Sequence, residues 1–174
     1  EEGILTAYRD LPEADVIIFN IGNRPAHWGD MPKKLGYLDL MHVASWQISF
    51  KRESIVNNNV YFDEHMGAGS GNGAEEEFRF LTDCRKNGLA IYYVPFVIAD
   101  VAQTKSTWFK GYNEEFFINR GNTTRYIMGY VPAVLYAAYY SIRKRHQFDS
   151  DISWFKAFRL IMKGIHENRL GKKK

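Results

Sequence analysis

The run DVIIFNI at residues 15–21 is the feature that most restricts the fold of this chain. It is short, apolar and rich in β-branched residues, which is the pattern of a buried strand. A helix-like segment precedes it and ends near Pro12. A second strand pattern, LAIYYVPFVIADVA, occupies residues 89–102 and continues past Pro95, and a helix is predicted before it at about 74–87. Buried strands that alternate with helices favour an α/β sheet.

The connecting segments follow the same alternation. Residues 22–34 are rich in glycine and proline, which predicts a loop, and residues 42–53 carry a strand pattern that gives way to a helix near Arg52. The segment NNNVYFDEHMGAGSGNG, residues 57–73, is long and irregular. Loops of this length usually carry function.

The second half of the chain differs in character. It is helical and aromatic in pattern, with one long helix predicted over 123–145 and a basic amphipathic helix over 151–168. We therefore expect an α/β part at residues 1–102 and a C-terminal α-helical extension at residues 103–174.

Composition excludes several classes of protein. The chain has 174 residues, 45% of them hydrophobic, enough for an ordinary domain core. Its net charge of +3 comes mostly from IRKRH and NRLGKKK near the end, which is not the footprint of a nucleic-acid-binding protein. The single cysteine, Cys84, excludes an internal disulfide and a cysteine-based zinc site, and it fits a reducing, cytoplasmic location.

Targeting and membrane signals are weak. The opening EEGILTAYRD does not resemble a signal peptide, and it lacks an initial methionine, so we expect a piece of a longer protein. The longest apolar stretch, YIMGYVPAVLYAAYYSI, is interrupted by Gly129 and Pro132 and falls short of the roughly 18 apolar residues of a spanning helix.

The stretch GAGSGNGAEEEFRFLTDC at residues 67–84 raises a chemical question. Glycine-rich loops often hold phosphate, but Glu75, Glu76 and Glu77 would repel a phosphate unless a metal ion lay between them. The loop therefore delivers carboxylates to the start of a helix. These glutamates either act in chemistry or only complement the helix dipole.

Five segments in order resemble the later half of family 2 glycosyltransferases of the GT-A fold. They are PEADVIIFNI, ASWQISFKRESI, YFDEHMGAGS, GAEEEFRFLTDC and GLAIYYVP, and together they cover roughly residues 10–100. The resemblance implies a partial GT-A, Rossmann-like mixed sheet. It also implies transfer of a sugar from a nucleotide-sugar donor to a saccharide or lipid-linked acceptor, with inversion, in surface polysaccharide synthesis.

The resemblance places the family's acidic pair at Glu76 and Glu77. An inverting transfer needs a carboxylate that takes the proton of the acceptor hydroxyl as it attacks the anomeric carbon. The family pattern assigns this base to the second position, Glu77, where the usual residue is aspartate. Glu75→Gln then serves as the control and should leave the transfer rate nearly unchanged.

The chain also departs from the family. The family carries an Asp-x-Asp metal motif in its first half, and this chain has no such motif before position 15. The one candidate, DSD at residues 149–151, lies in the helical tail. We therefore expect the donor-binding half to be missing and the isolated chain to be inactive, with Mg²⁺ or Mn²⁺ serving the intact enzyme. Asp100 stands where the family often has a metal-binding histidine, and it either ligates the metal through oxygen or ends the strand in solvent.

The remaining candidates concern the two substrates. Trp46 and Trp108 could stack on sugar faces or belong to the core. Asp63 and Glu64 could bind acceptor hydroxyls. Arg52 could face the donor diphosphate or be an ordinary surface cation.

The tail is either a membrane-surface helix or a packing helix. Residues 151–168 combine apolar residues near one face with Lys156, Arg159 and Lys163. The apolar set is Trp154, Phe155, Phe158, Leu160, Ile161 and Ile165. The first alternative predicts peripheral contact with an anionic membrane at its cytoplasmic face.

A second class of function stays open. The chain could be a non-catalytic acceptor-binding or interaction module without activity of its own. Strand edges exposed by a missing half would pair between copies, which favours a homodimer.

Overall fold

The computed structural model describes most of the chain. The described residues are 2–22, 28–67, 70, 75–101, 109 and 111–172.

The chain forms two compact units. The first unit consists of Glu1–Asp63 and Glu76–Thr104, and the second unit consists of Glu64–Glu75 and Lys105–Lys174. Residues 64–75, which the sequence analysis grouped with the α/β part, thus belong to the helical second unit.

The first unit is a mixed α/β structure. Among the described residues, its helices and strands, besides two short 3-10 helices, are α1 Glu2–Asp10, β1 Val16–Ile21, β2 Lys33–Lys34, β3 Ile48–Phe50, α2 Arg52–Asn57, α3 Glu76–Lys86 and β4 Ile91–Ala99. The strands have the order β2-β4-β1-β3, in which β1 is parallel to β4 and antiparallel to β3, while β2 is antiparallel to β4. The predicted α/β sheet is therefore confirmed as a four-stranded mixed sheet.

Strand β1 lies in the middle of this sheet because its side chains are apolar on both faces. The four residues from Val16 to Phe19 are completely buried, as expected for a strand covered on both sides. Ile17 and Phe19 pack in one cluster with Ala7 of α1. The predicted strand at 15–21 is confirmed.

Asp15 joins three elements at the start of β1. Its Oδ1 accepts a hydrogen bond from Ser54 Oγ of α2 at 2.6 Å, and its Oδ2 accepts one from the Ala90 amide before β4 at 2.8 Å. A half-buried carboxylate with two donors contributes to stability because both of its oxygens are paired.

The second unit is helical. Within the described residues its α-helices are α4 Glu114–Met128, α5 Tyr130–Arg143 and α6 Trp154–Glu167. The helix predicted over 151–168 is confirmed as α6, whose N-cap residue is Ser153. The core of the second unit is formed by Phe117, Ala133, Ala137, Tyr140, Phe148, Ile152, Ala157, Ile161 and Ile165.

The single helix predicted over 123–145 is wrong in its extent. The chain instead forms α4 and α5, which meet at Gly129, whose φ of 86° and ψ of 179° no helix tolerates. Glycine adopts this backbone conformation readily, whereas other residues do so at a cost. Helix α4 also starts nine residues earlier than predicted, because Asn113 caps it by accepting a hydrogen bond from the Phe116 amide at 2.9 Å.

Helices α4 and α6 approach closely through two glycines. A Cβ added to Gly121 would collide with the carbonyl oxygen of Ile161, and one added to Gly164 would collide with that of Ile118. The two backbones therefore touch where the glycines lie, and the contact admits no side chain.

Replacing Gly121 by alanine is expected to lower the free energy of unfolding by about 1–3 kcal/mol, the usual cost of overpacking a core. Urea denaturation followed by circular dichroism measures this effect. Gly36→Ala is the control, because its Cβ would meet Asp39 Oδ2 at an ordinary 3.4 Å. Equal unfolding midpoints for Gly121→Ala and the wild type would contradict the close helix contact.

One further property concerns membranes. Among the described residues, no helix combines the length and the apolar character needed to cross a bilayer.

Candidate functional site

The acidic pair lies at the start of α3. Glu76 and Glu77 are the first two residues of this helix, and both side chains are half-buried. The N-terminus of a helix favours negatively charged side chains because its free amides and dipole carry partial positive charge. Helix α3 is fixed in the first unit by a buried face of Phe78, Phe80, Leu81, Thr82 and Cys84.

A tight turn sets the direction of α3. The Gly88 amide donates to the Arg85 carbonyl and the Leu89 amide donates to the Cys84 carbonyl, both at 3.0 Å, and β4 begins two residues later. A turn this short makes the helix and the strand run in opposite directions. The N-terminus of α3 therefore points toward the carboxyl ends of the parallel strands β1 and β4, the edge at which open α/β sheets bind ligands.

Asp100 lies at that same edge. It follows β4 directly and is exposed. The Gly22 amide, just after β1, donates to the Ala99 carbonyl at 3.0 Å. A Cβ on Gly22 would collide with Asp100 Oδ1, so this carboxylate lies against the Gly22 backbone.

The two glutamates begin different stripes of α3, since successive residues lie about 100° apart around a helix. Glu77 lies three, four and seven residues before Phe80, Leu81 and Cys84, on the side of the helix that is buried. Glu76 lies three and seven residues before Arg79 and Asp83, on the polar side. Only one of the two can therefore point into a given cleft.

The polar side of α3 borders a cavity in the first unit. Its volume is about 300 Å³. Beside it, Arg79 and Asp83 form an ion pair in which Arg79 Nε lies 2.7 Å from Asp83 Oδ2. Two carboxylates, two carboxamides and a guanidinium can together bind the hydroxyl groups of a small polar molecule. The lining residues are Asn59, Val60, Tyr61, Asp63, Arg79, Asp83 and Asn87.

Asp63 is the sequence-predicted site residue that lines this cavity. Arg79, Asp83 and Asn87 were not predicted as site residues, although their spacing of four residues places them on one side of a helix. That spacing was the available signal.

The other candidates lie elsewhere. Trp46 is half-buried in the 3-10 helix Ser45–Gln47, and Arg52 is exposed as the first residue of α2. Glu64 is exposed and belongs to the second unit, whereas Asp63 belongs to the first. Trp108 lies outside the described residues.

Asp100 is the one residue that the sequence analysis proposed as a metal ligand. Within the part of the chain that the structure describes, no group of three or more His, Cys, Asp or Glu side chains could hold a metal ion. Asp100 thus offers a single carboxylate, and a complete set of oxygen ligands for Mg²⁺ or Mn²⁺ is not formed by these residues alone.

Glu75 has a different role from its two neighbours. Its φ of 88° is unusual for a residue other than glycine. Its Oε1 lies 3.2 Å from Arg120 Nη1, and its Oε2 accepts a hydrogen bond from Thr123 Oγ1 at 2.6 Å. The carboxylate of Glu75 is therefore paired inside the second unit, so Glu75→Gln would also break these contacts and is a poor control for the transfer rate.

Arg120 is enclosed by aromatic rings as well as by Glu75. Its guanidinium carbon lies 5.1 Å from the Phe116 ring centre and 4.6 Å from that of Tyr140, and its Nη1 donates to the Tyr136 hydroxyl at 2.5 Å. Burial by itself lowers the pKa of Arg120, but the Glu75 carboxylate and the hydroxyl groups of Tyr136 and Tyr140 together outweigh it, so the pKa lies above its ordinary value. Arg120 therefore stays charged, and the Glu75 carboxylate balances this charge inside the second unit.

Cys84 is not a nucleophile. Its side chain is completely buried, and this burial raises the pKa of the thiol to about 12. The thiolate, which is the reactive form, is therefore scarce at neutral pH.

Comparison with known proteins adds no assignment. No protein-family model matches the chain, and neither a curated protein nor a solved structure matches it. The function is therefore proposed from the sequence resemblance and from the geometry of the residues.

Proposed function

We propose that this chain is the acceptor-side half of an inverting, family 2 type glycosyltransferase of the GT-A fold. The observation that carries the proposal is the position of Glu76 and Glu77 at the N-terminus of α3, which points toward the carboxyl ends of β1 and β4. The family resemblance places its acidic pair at these two residues. Its reaction transfers a sugar from a nucleotide-sugar donor to a saccharide or lipid-linked acceptor in surface polysaccharide synthesis.

Glu77 is the general base of this reaction. Its carboxylate accepts the proton of an acceptor hydroxyl while the hydroxyl oxygen forms a bond to the anomeric carbon of the donor. The bond between that carbon and the nucleoside diphosphate breaks on the opposite face, and the diphosphate leaves with its electron pair. Attack from the opposite face inverts the anomeric configuration.

The cavity beside α3 holds part of the acceptor. Asp63, Asp83 and Asn87 offer oxygen acceptors for sugar hydroxyl groups, and Arg79 offers guanidinium donors. Glu76 begins the same polar stripe of the helix, whereas Glu77 begins the buried stripe, so the acceptor would have to extend from this cavity past Glu76 to reach the base. Trp46, Trp108 and Glu64 remain proposed acceptor contacts.

The proposed contacts to the nucleotide-sugar donor are supported by fewer observations than those to the acceptor. Arg52 is exposed and is proposed to face the donor diphosphate, to which an arginine is well matched. Mg²⁺ or Mn²⁺, when bound, would neutralise the charge of the leaving diphosphate, and Asp100 is the residue proposed to reach it. The proposed location is the cytoplasmic face of the membrane at which surface polysaccharides are assembled.

The second candidate function is a saccharide-binding module without catalysis. The observation that favours it is the cavity, because all of its lining residues belong to the first unit. Such a module would bind a saccharide without consuming a nucleotide sugar.

Transfer by the complete gene product separates these two functions. We expect it to release nucleoside diphosphate from one member of a panel of UDP-, GDP- and dTDP-sugars in the presence of Mg²⁺ or Mn²⁺, and EDTA should stop the release. The 174-residue chain assayed alone should release none. Saccharide binding by the gene product without turnover of any donor would favour the module instead.

A further inference from the structure

Helix α5 is apolar on the side that faces solvent as well as on the side that faces the core. Val131, Leu135, Tyr139 and Ile142 are 67%, 67%, 52% and 55% exposed. Their spacing places them on one face of the helix, opposite the buried Ala133, Ala137, Tyr140 and Ser141. A surface helix normally carries polar residues on its outer face, so this exposed stripe indicates a binding surface.

The charge around the stripe has one sign. Helix α5 contains no Asp or Glu, and its outer face ends at Arg143, which Lys144 and Arg145 follow. Residues 105–174 hold fourteen Lys and Arg against five Asp and Glu, whereas residues 1–104 hold nine against fifteen. The helical half of the chain is therefore strongly basic, and its partner must tolerate or complement positive charge.

Helix α6, the membrane-surface candidate of the sequence analysis, uses most of its apolar face for packing. Ala157, Ile161 and Ile165 are buried in the core of the second unit, and Phe158 and Leu160 pack against it. At its start, the large apolar residues Trp154 and Phe155 stay exposed. The amphipathic pattern of α6 thus reflects the core, and α5 carries the long exposed stripe.

We propose that the outer face of α5 binds an anionic lipid surface. Lying flat, the helix would insert Val131, Leu135 and Ile142 among the acyl chains, over about 17 Å at 1.5 Å per residue. The Tyr139 hydroxyl would remain at the level of the headgroups. Arg143 and its two basic neighbours would contact anionic headgroups beside the stripe.

A second copy of this chain fits the same face less well. The stripe offers no carboxylate to the basic cluster of a partner copy, so two such faces bring cations together without compensation. An anionic membrane complements the cations and covers the apolar stripe at the same time. This surface lies within the second unit and does not depend on the proposed sugar transfer.

Sedimentation with vesicles tests the proposal. The chain should pellet with vesicles of phosphatidylcholine that contain roughly a quarter phosphatidylglycerol, and it should bind pure phosphatidylcholine vesicles at least tenfold more weakly. High salt should release it because ions screen the attraction. No binding to either vesicle, or equal binding to both, would overturn the proposal.

Two substitutions on α5 and two matched controls locate the contact. Leu135→Gln should weaken the partitioning by about tenfold, and Arg143→Gln by about fivefold. Leu38→Gln and Arg9→Gln remove an exposed leucine and an exposed arginine of the first unit, and both should leave binding unchanged. If all four variants bind alike, the outer face of α5 is not the lipid contact.

A fluorescent label distinguishes lipid from self-association. Because Cys84 is buried, a thiol introduced by Leu135→Cys can be labelled selectively with an environment-sensitive dye. Its emission should shift to the blue when anionic vesicles are added, whereas the same dye at Leu38→Cys should not respond. A shift at Leu135→Cys that depends on protein concentration without vesicles would assign the face to a second copy.

Discussion

Replacing Glu77 by glutamine in the complete gene product is expected to lower the rate of sugar transfer by about 10²- to 10⁴-fold, the usual loss when a general base is removed. Glutamine has nearly the same shape as glutamate but cannot accept the proton of the acceptor hydroxyl. Because the change leaves the diphosphate contacts alone, the affinity for the donor should stay nearly the same. Steady-state kinetics with varied donor separate these two effects.

The controls for this experiment come from other helix starts. Glu53 is an exposed carboxylate in the first turn of α2, so Glu53→Gln removes a charge of the same kind without touching α3. It should leave the rate unchanged. Glu76→Gln should lower the rate less than Glu77→Gln. Equal effects of all three substitutions would mean that the run GAEEEFRFL is only a charged helix start.

Replacing Glu75 by alanine is expected to lower the free energy of unfolding by about 3 kcal/mol, because Arg120 would keep its charge without its carboxylate partner. This is the low end of the range for breaking a buried ion pair, since the Arg120 and Glu75 side chains are 22% and 25% exposed. Thr123 also loses the acceptor of its 2.6 Å hydrogen bond. Urea denaturation of the 174-residue chain measures the change.

A second variant separates the ion pair from the backbone. The double variant Glu75→Ala with Arg120→Met removes both charges, so it should be more stable than Glu75→Ala alone. Glu115→Ala is the matched control, because Glu115 is exposed in the first turn of α4 and should be nearly neutral. A Glu75→Ala variant as stable as this control would contradict the structural role of the ion pair.

Local patterns predicted the parts of the fold that depend on neighbouring residues. The apolar run of β1, the amphipathic spacing of α3 and the strand of β4 are all properties of short segments, and each was found close to its predicted position. The two-residue strand β2 was predicted as a loop, because Lys33 and Lys34 become a strand only by pairing with Tyr93 and Tyr92 of β4.

The break at Gly129 shows a second limit. A glycine inside an apolar helical pattern is often tolerated, so the sequence did not distinguish a continuous helix from two helices. The structure contains two helices, because Gly129 adopts a backbone conformation that ends α4. The capping asparagine and the two glutamates that follow it, Asn113 to Glu115, were a usable start signal that the prediction missed.

The candidate site was accessible to sequence reasoning only in part. Glu76 and Glu77 are adjacent in sequence, so their position on α3 followed from one motif. The cavity joins Asp63 to Arg79 and Asp83, and Glu75 pairs with Arg120 across 45 residues of chain. Such contacts depend on tertiary packing, and no local pattern contains them.

Mass spectrometry of the acceptor tests the central proposal, sugar transfer with Glu77 as the base, most directly. The complete gene product is incubated with a nucleotide sugar, Mg²⁺ and a lipid extract of its own membranes, and the products are compared with those of Glu77→Gln at equal times. We predict a new glycolipid or saccharide that is heavier by one sugar residue, formed by the wild type and strongly reduced with the variant. The absence of any such product with the wild type, or its equal formation by both proteins, would contradict this account.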